Sequence, residues 1–171
     1  MFKNWIKHCQ LTNLQNKSLN RTQSSILHVI TEKKYANCEI TVGLEDTKMI
    51  YQIQNKFGGT VKLRSGVKAI RYRLQNQEGM KNLIHAVNGN IRTSKRIIQF
   101  HRVCSLLEIP VLSIESLNLN NGWISGYFDS NGMINYKISK MEIPELIISI
   151  KNKYLQDVEF LKILGGDIIF D

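Results

Sequence analysis

Two stretches of this chain repeat one local pattern, and the repetition limits the folds open to it. Residues 38–60, CEITVGLEDTKMIYQIQNKFGGT, read as strand, amphipathic helix, Gly-Gly, strand. Residues 146–170, LIISIKNKYLQDVEFLKILGGDIIF, read the same way, and the two Gly-Gly pairs lie about 107 positions apart. In each copy apolar residues fall at three- and four-residue steps, Ile50, Ile53 and Phe57 in the first and Leu161 and Leu164 in the second. Gly58 and Gly165 then supply the glycine that stops a helix. At 171 residues the chain is long enough for two such halves around a stable interior.

The first Gly-Gly leads into TVKLRSGVKAIRYRLQN, two alternating runs around Ser65-Gly66 that read as a β-hairpin. Alternation sets Val61, Leu63, Ile70, Tyr72 and Leu74 on one face and Lys62, Arg64, Arg71 and Arg73 on the other. An ordinary solvated face is one reading of the second set. Four bases and no acid on two adjacent strands would repel one another without a polyanion, so nucleic-acid binding is the other. The whole chain carries 23 Lys and Arg against 14 Asp and Glu, a formal charge of +9. A field of that sign attracts phosphates before any specific contact forms.

Further along, EGMKNLIHAVNGN has a short helical period ending at Asn88-Gly89. SKRIIQFHRVCSLLEIP is expected to form a helix with Ser94 as N-cap, Ile97, Ile98, Val103, Leu106 and Leu107 as apolar positions, and Pro110 past its end. Its bases Lys95, Arg96 and Arg102 extend the expected cationic track. Residues 111–120 read as a polar linker between a first half at 22–110 and a second at 121–171, after a basic segment at 1–21. That segment, with Lys3, Lys7, Lys17 and Arg21, fits either a transit peptide or a basic arm. Cys9, Cys38 and Cys104 are too scattered for a disulfide framework or zinc site, and the four histidines lack metal spacing. No apolar run reaches the roughly 18 residues of a membrane span.

In Trp123–Gly132, WISGYFDSNG, the small residues Gly122, Gly126 and Ser130 recur every four positions, a stripe that lets two helices approach closely. Ile124 and Phe128 are expected to face a core. A simply buried helix would not need the glycines, which cost about 1 kcal/mol each in a helix interior.

WISGYFDSNGMI resembles the second signature helix of a LAGLIDADG homing endonuclease. QNKFGGTVKLRSGVKAIRYRLQNQEGMKNLIHAVNGNIRTSKR and the late KYLQDVEFLKILGGDIIF are similar to the body of single-chain members encoded in mitochondrial introns. The resemblance covers about residues 24–171. It implies an α+β fold of two pseudo-symmetric αββαββα halves, signature helices packed at the pseudo-dyad, and curved antiparallel sheets forming a saddle. The second half is expected to be truncated, leaving a C-terminal strand edge for a protein or RNA partner to cover.

The family cuts DNA through the last acid of each signature helix, where two carboxylates hold divalent ions that activate water. The resemblance places Asn131 at that position of the second helix. An amide brings no charge to offset a divalent cation and cannot act as a base. Asp129 is the preceding acid, at a helix end whose dipole disfavours a carboxylate. The first signature falls on NKSLNRTQS, with Arg21 and Gln23 at the acidic places, and no Asp or Glu occurs before Glu32. These readings lead to no catalytic residue, no metal site and no cofactor, with magnesium expected only of an active endonuclease. The expected function is an inactive nucleic-acid-binding protein of the mitochondrion, holding RNA in preference to duplex DNA and without a membrane partner. It would serve as an intron maturase or a constituent of a ribonucleoprotein such as the mitochondrial ribosome. The choice of RNA is by elimination, since DNA binding without cleavage has no obvious use for an intron-derived protein. The alternatives are an active homing endonuclease, its missing acid supplied by Asp129 or a second chain, and an unused reading frame.

Overall fold

A computed structural model describes residues 24–30, 35–117, 122–138 and 144–169. The expected first signature at NKSLNRTQS, the basic segment and Cys9 lie outside the described residues. The first half runs β1 (Ser24–Ile30), β2 (Tyr35–Gly43), α1 (Thr47–Phe57), β3 (Thr60–Leu63), β4 (Ala69–Leu74), α2 (Gln77–Val87) and α3 (Ser94–Leu107). Its strands form one antiparallel sheet in the order β1-β2-β4-β3. Alternation buries Ala36, Cys38, Ile40 and Val42 along β2, and Ile70, Tyr72 and Leu74 along β4, with Thr41 and Ala69 buried in addition. The alternating residues pack on Ile50, Ile53 and Phe57 of α1, Met80, Leu83, Ile84 and Val87 of α2, and Phe100, Val103, Cys104 and Leu107 of α3. One face of the sheet is thereby covered by all three helices, and the other, apart from the buried Thr41, presents half-buried and exposed side chains.

Local chemistry sets the helix ends. Asn76 caps α2 by accepting the Gly79 amide at 2.6 Å, and Gly89, at φ 79°, turns the chain after it. Ser94 is not the N-cap of α3: Thr93 holds that place without a side-chain bond, and the Ser94 amide donates to Asp157 Oδ1 at 2.7 Å. The cap therefore comes from the second half of the chain. Ile98 is exposed rather than core, because the buried stripe of α3 runs through Phe100, Val103, Cys104 and Leu107. After α3, Asn88 ties the chain down, donating to the Pro110 carbonyl at 2.9 Å and accepting the Leu112 amide at 3.0 Å.

The second half contains α4 (Trp123–Asn131), β5 (Gly132–Ile138) and β6 (Pro144–Ile150), the strands forming a two-stranded antiparallel sheet. The repeat is visible in the backbone. Gly58 and Gly59 have φ 75° and 91°, and Gly165 and Gly166 have φ 76° and 89°. The amphipathic helix expected before the second pair is instead two 3-10 segments, Leu155–Asp157 and Glu159–Leu164. In α1 the apolar stripe is buried, whereas Ile163 and Leu164 are exposed. Phe160 of this segment packs on Trp123 and Tyr127, but with Ile163 and Leu164 exposed there is little further apolar burial to hold a short helix in α form. Among the described residues no helix is long and apolar enough to cross a membrane.

Candidate nucleic-acid interface

The open face of the first sheet carries the predicted bases. β4 lies between β2 and β3, so Arg71 has Lys62 on one side and Thr41 on the other, while Arg73 has Thr60 and Glu39. Lys62 and Arg64 are exposed, and Arg71 and Arg73 are half-buried. Glu39 corrects the expectation of an acid-free face. Arg73 donates to its Oε2 from Nε at 3.2 Å and Nη2 at 2.8 Å, and Arg71 Nη1 lies 3.7 Å from Oε1. One carboxylate thus pins two guanidinium groups and leaves the four bases in excess. No signal in residues 60–76 could have found Glu39, because it enters only through the placement of β2 beside β4. Leu63, assigned to the core face, is 72% exposed at the end of the edge strand β3.

The structure does not bring the α3 bases into this cluster. Arg96 is 3% exposed, donates to Gln99 Oε1 at 2.7 Å, and has its pKa lowered to about 10 by burial, with Cys38 opposing the shift. Lys95 and Arg102 are exposed on α3, in the layer that covers the inner side of the sheet. They do not continue the row formed by Lys62, Arg71 and Arg73.

The second candidate place is the C-terminal end of α4. Its buried face is Trp123, Gly126 and Tyr127, not Ile124 and Phe128, which are half-buried. Trp123 stacks on Tyr127 with centroids 4.8 Å apart, and the Phe160 ring meets Trp123 edge-on at 5.0 Å. Trp123 Nε1 donates to the Asn90 carbonyl at 3.2 Å, and the guanidinium of buried Arg92 sits 5.2 Å over the indole. Tyr127 donates its hydroxyl to Asn152 Oδ1. These contacts fix α4 between the two halves. Of the predicted stripe, Gly126 is buried, Gly122 is the N-cap, and the half-buried Ser130 donates its hydroxyl to the Tyr127 carbonyl at 2.9 Å.

Asp129 is exposed and Asn131 half-buried at the last turn. Two positions apart on a helix, their side chains are separated by about 200° around the axis and cannot converge on one ion. The Asn131 carbonyl is already engaged by the Lys151 amide at 3.0 Å, leaving a neutral side-chain amide as the donor. A divalent cation held in water asks for charged oxygens converging at about 2–2.6 Å. Asp129 and Asn131 do not fit such an ion.

Residues 13–107 match the family described as LAGLIDADG endonuclease. The chain is 61% identical over 145 residues to the intron-encoded RNA maturase bI4 of Saccharomyces cerevisiae, a match covering 83% of this chain and 23% of that protein. It is 54% identical over 157 residues to the probable intron-encoded endonuclease aI2 of Debaryomyces hansenii, covering 83% of this chain and 24% of the relative. It therefore spans about a quarter of the length of these curated relatives. Among solved structures, I-SmaMI bound to uncleaved DNA target in the presence of calcium ions superimposes with a TM-score of 0.53 at 14% identity, covering 95% of this chain and 70% of that chain. That likeness establishes the fold: mixed helices and antiparallel sheets of the LAGLIDADG meganuclease kind.

Proposed function

This chain belongs to the LAGLIDADG endonuclease family, and we propose that it is a member that holds nucleic acid without cutting it, with RNA as its ligand. The observation that carries the reading is the open sheet face, where Lys62, Arg64, Arg71 and Arg73 outnumber the single acid Glu39. Arg and Lys donors on such a face can take phosphate oxygens, and Glu39 holds the Arg71 and Arg73 guanidinium groups beside one another. The similarity to a protein named as an RNA maturase favours RNA over duplex DNA. The intron-encoded names of the relatives favour a role on intron RNA, as a maturase. The proposed compartment is the mitochondrion, and a stable ribonucleoprotein such as the mitochondrial ribosome is the other proposed setting.

The absence of cutting rests on α4. Asn131 stands where the family places a metal-binding acid, and Asp129 points away from it. The purified chain should produce no nicks in duplex targets of homing type with magnesium present. The competing reading, an active endonuclease, draws on the relative named as one. Magnesium-dependent cleavage that disappears in Asp129→Ala would establish that reading and end this one.

A further inference from the structure

The middle of the cationic sheet face holds an acceptor that phosphate binding does not need. Glu39, Arg71 and Arg73 stand on β2 and β4, the two inner strands, whereas Lys62 is on the edge strand β3 and Arg64 just past its end. Arg73 donates from Nε and Nη2 to Oε2 of Glu39, at 3.2 and 2.8 Å. Among the described residues no hydrogen bond reaches Oε1, whose ion-pair partner Arg71 Nη1 lies 3.7 Å away. The side chains of Glu39, Arg71 and Arg73 are 27%, 32% and 41% exposed, so a ligand can reach them. A solvent-facing ion pair adds little stability, and a carboxylate repels the phosphates that the bases around it attract. Neither folding nor phosphate binding accounts for an acid at this place.

An acceptor with a donor beside it is the complement of a cis amide edge, an N–H next to a C=O. Among RNA bases, guanine carries that edge at N1–H and O6, and uracil at N3–H and O4. Adenine and cytosine put a ring-nitrogen acceptor at the same place, which a carboxylate repels. In a duplex this edge is committed to the base pair, so only an unpaired base offers it. Unpaired bases, read on their Watson–Crick edges, are where proteins recognise RNA sequence.

We infer that Glu39 Oε1 and the Arg71 guanidinium form a base-reading site for unpaired guanine or uracil in RNA. The carboxylate accepts the imino N–H, and Arg71 donates to the adjacent keto oxygen. Arg73, bonded to Oε2 through two of its nitrogens, holds the carboxylate in place. A guanidinium has several N–H donors, so Arg71 can take a keto oxygen and a phosphate oxygen together. Lys62 and Arg64 serve the phosphates, which position a strand without selecting its sequence. The inference rests on the reading of this face as an RNA surface and adds which bases that surface selects.

The test measures binding of the full chain to short unstructured oligomers of uridine, cytidine and N3-methyluridine at one salt concentration, by fluorescence anisotropy. Cytosine presents an acceptor where uracil presents its N–H, and N3-methylation removes the N–H alone. The parent should bind the uridine oligomer roughly ten- to a hundredfold more tightly than the other two. Glu39→Gln, whose amide can turn to serve either edge, should erase most of the difference between uridine and cytidine. If Glu39 only pinned the arginines, or only repelled phosphates, that variant would shift both affinities together and keep the parental ratio, and this result overturns the inference. Lys62→Gln removes a charge and no acceptor, so it should weaken both oligomers and leave their ratio unchanged. A ratio that Lys62→Gln moves as far as Glu39→Gln does places the discrimination elsewhere and also overturns it. Equal parental binding of the three oligomers, or none by a chain that still binds a structured RNA, overturns the base assignment alone. No binding to any RNA overturns the RNA reading with it.

Discussion

Gly59 and Gly166 make a pair of residues with one backbone conformation and two environments, which gives a prediction at the scale of single atoms. Alanine at either position meets the strain of a positive φ, about 1–3 kcal/mol. At Gly59 the added β-carbon also meets the Arg73 carbonyl at 2.6 Å, so a further overpacking cost of about 1–3 kcal/mol follows. Urea unfolding should therefore show Gly59→Ala markedly less stable than Gly166→Ala; equal midpoints would mean that β4 does not press on the turn. Residue-scale legibility was uneven. Arg71, Arg73, Lys62 and Arg64 were assignable to one face because strand alternation alone decides it. Arg96 was not separable from Lys95 and Arg102 by sequence, since which side of α3 is buried depends on how the helix lies over Cys38. Glu39 was invisible for the same kind of reason, being a cross-strand neighbour from a strand 34 positions away from Arg73.

At the scale of elements, two devices hold α3 and α4. Asp157 caps α3 from across the chain through the Ser94 amide. Asp157→Ala should destabilise the protein by about 1 kcal/mol, as loss of an N-cap does, with Asp157→Asn costing less because its amide oxygen can still accept. An unchanged denaturation midpoint in the alanine variant would remove the cap from the account. Gly126 is buried within α4, and leucine there should cost about 1–3 kcal/mol through overpacking. A Gly126→Leu variant as stable as the parent would show that the helix is not closely packed at that point. The boundaries of α1, the β3–β4 hairpin and the turn at Asn88-Gly89 followed from periodicity and glycine placement, because those signals are local. The second amphipathic segment did not become an α-helix, and its pattern alone could not reveal this. Of its apolar residues Phe160 packs on Trp123 whereas Ile163 and Leu164 stay exposed, and helical stability depends on a packed face.

For the whole molecule, the excess of 23 Lys and Arg over 14 Asp and Glu and the cationic sheet face support the central proposal, RNA binding through the outer face of β2, β4 and β3. The family and its fold were legible from the order and spacing of the signature helix, the hairpin and the two Gly-Gly turns. The ligand was not, because phosphates of RNA and DNA attract the same bases. The measurement that tests the claim most directly is a salt series of binding by the parent chain and an Arg71→Gln, Arg73→Gln double variant, on a structured RNA and on duplex DNA of matched sequence. Each lost phosphate contact should reduce the slope of log affinity against log salt by about 0.7 to 0.9. The double variant should therefore lose roughly one to two units of slope while keeping its fold, and the loss of affinity should be larger on RNA than on DNA. Identical slopes for variant and parent, or tighter parental binding to the duplex DNA than to the RNA, would contradict the account.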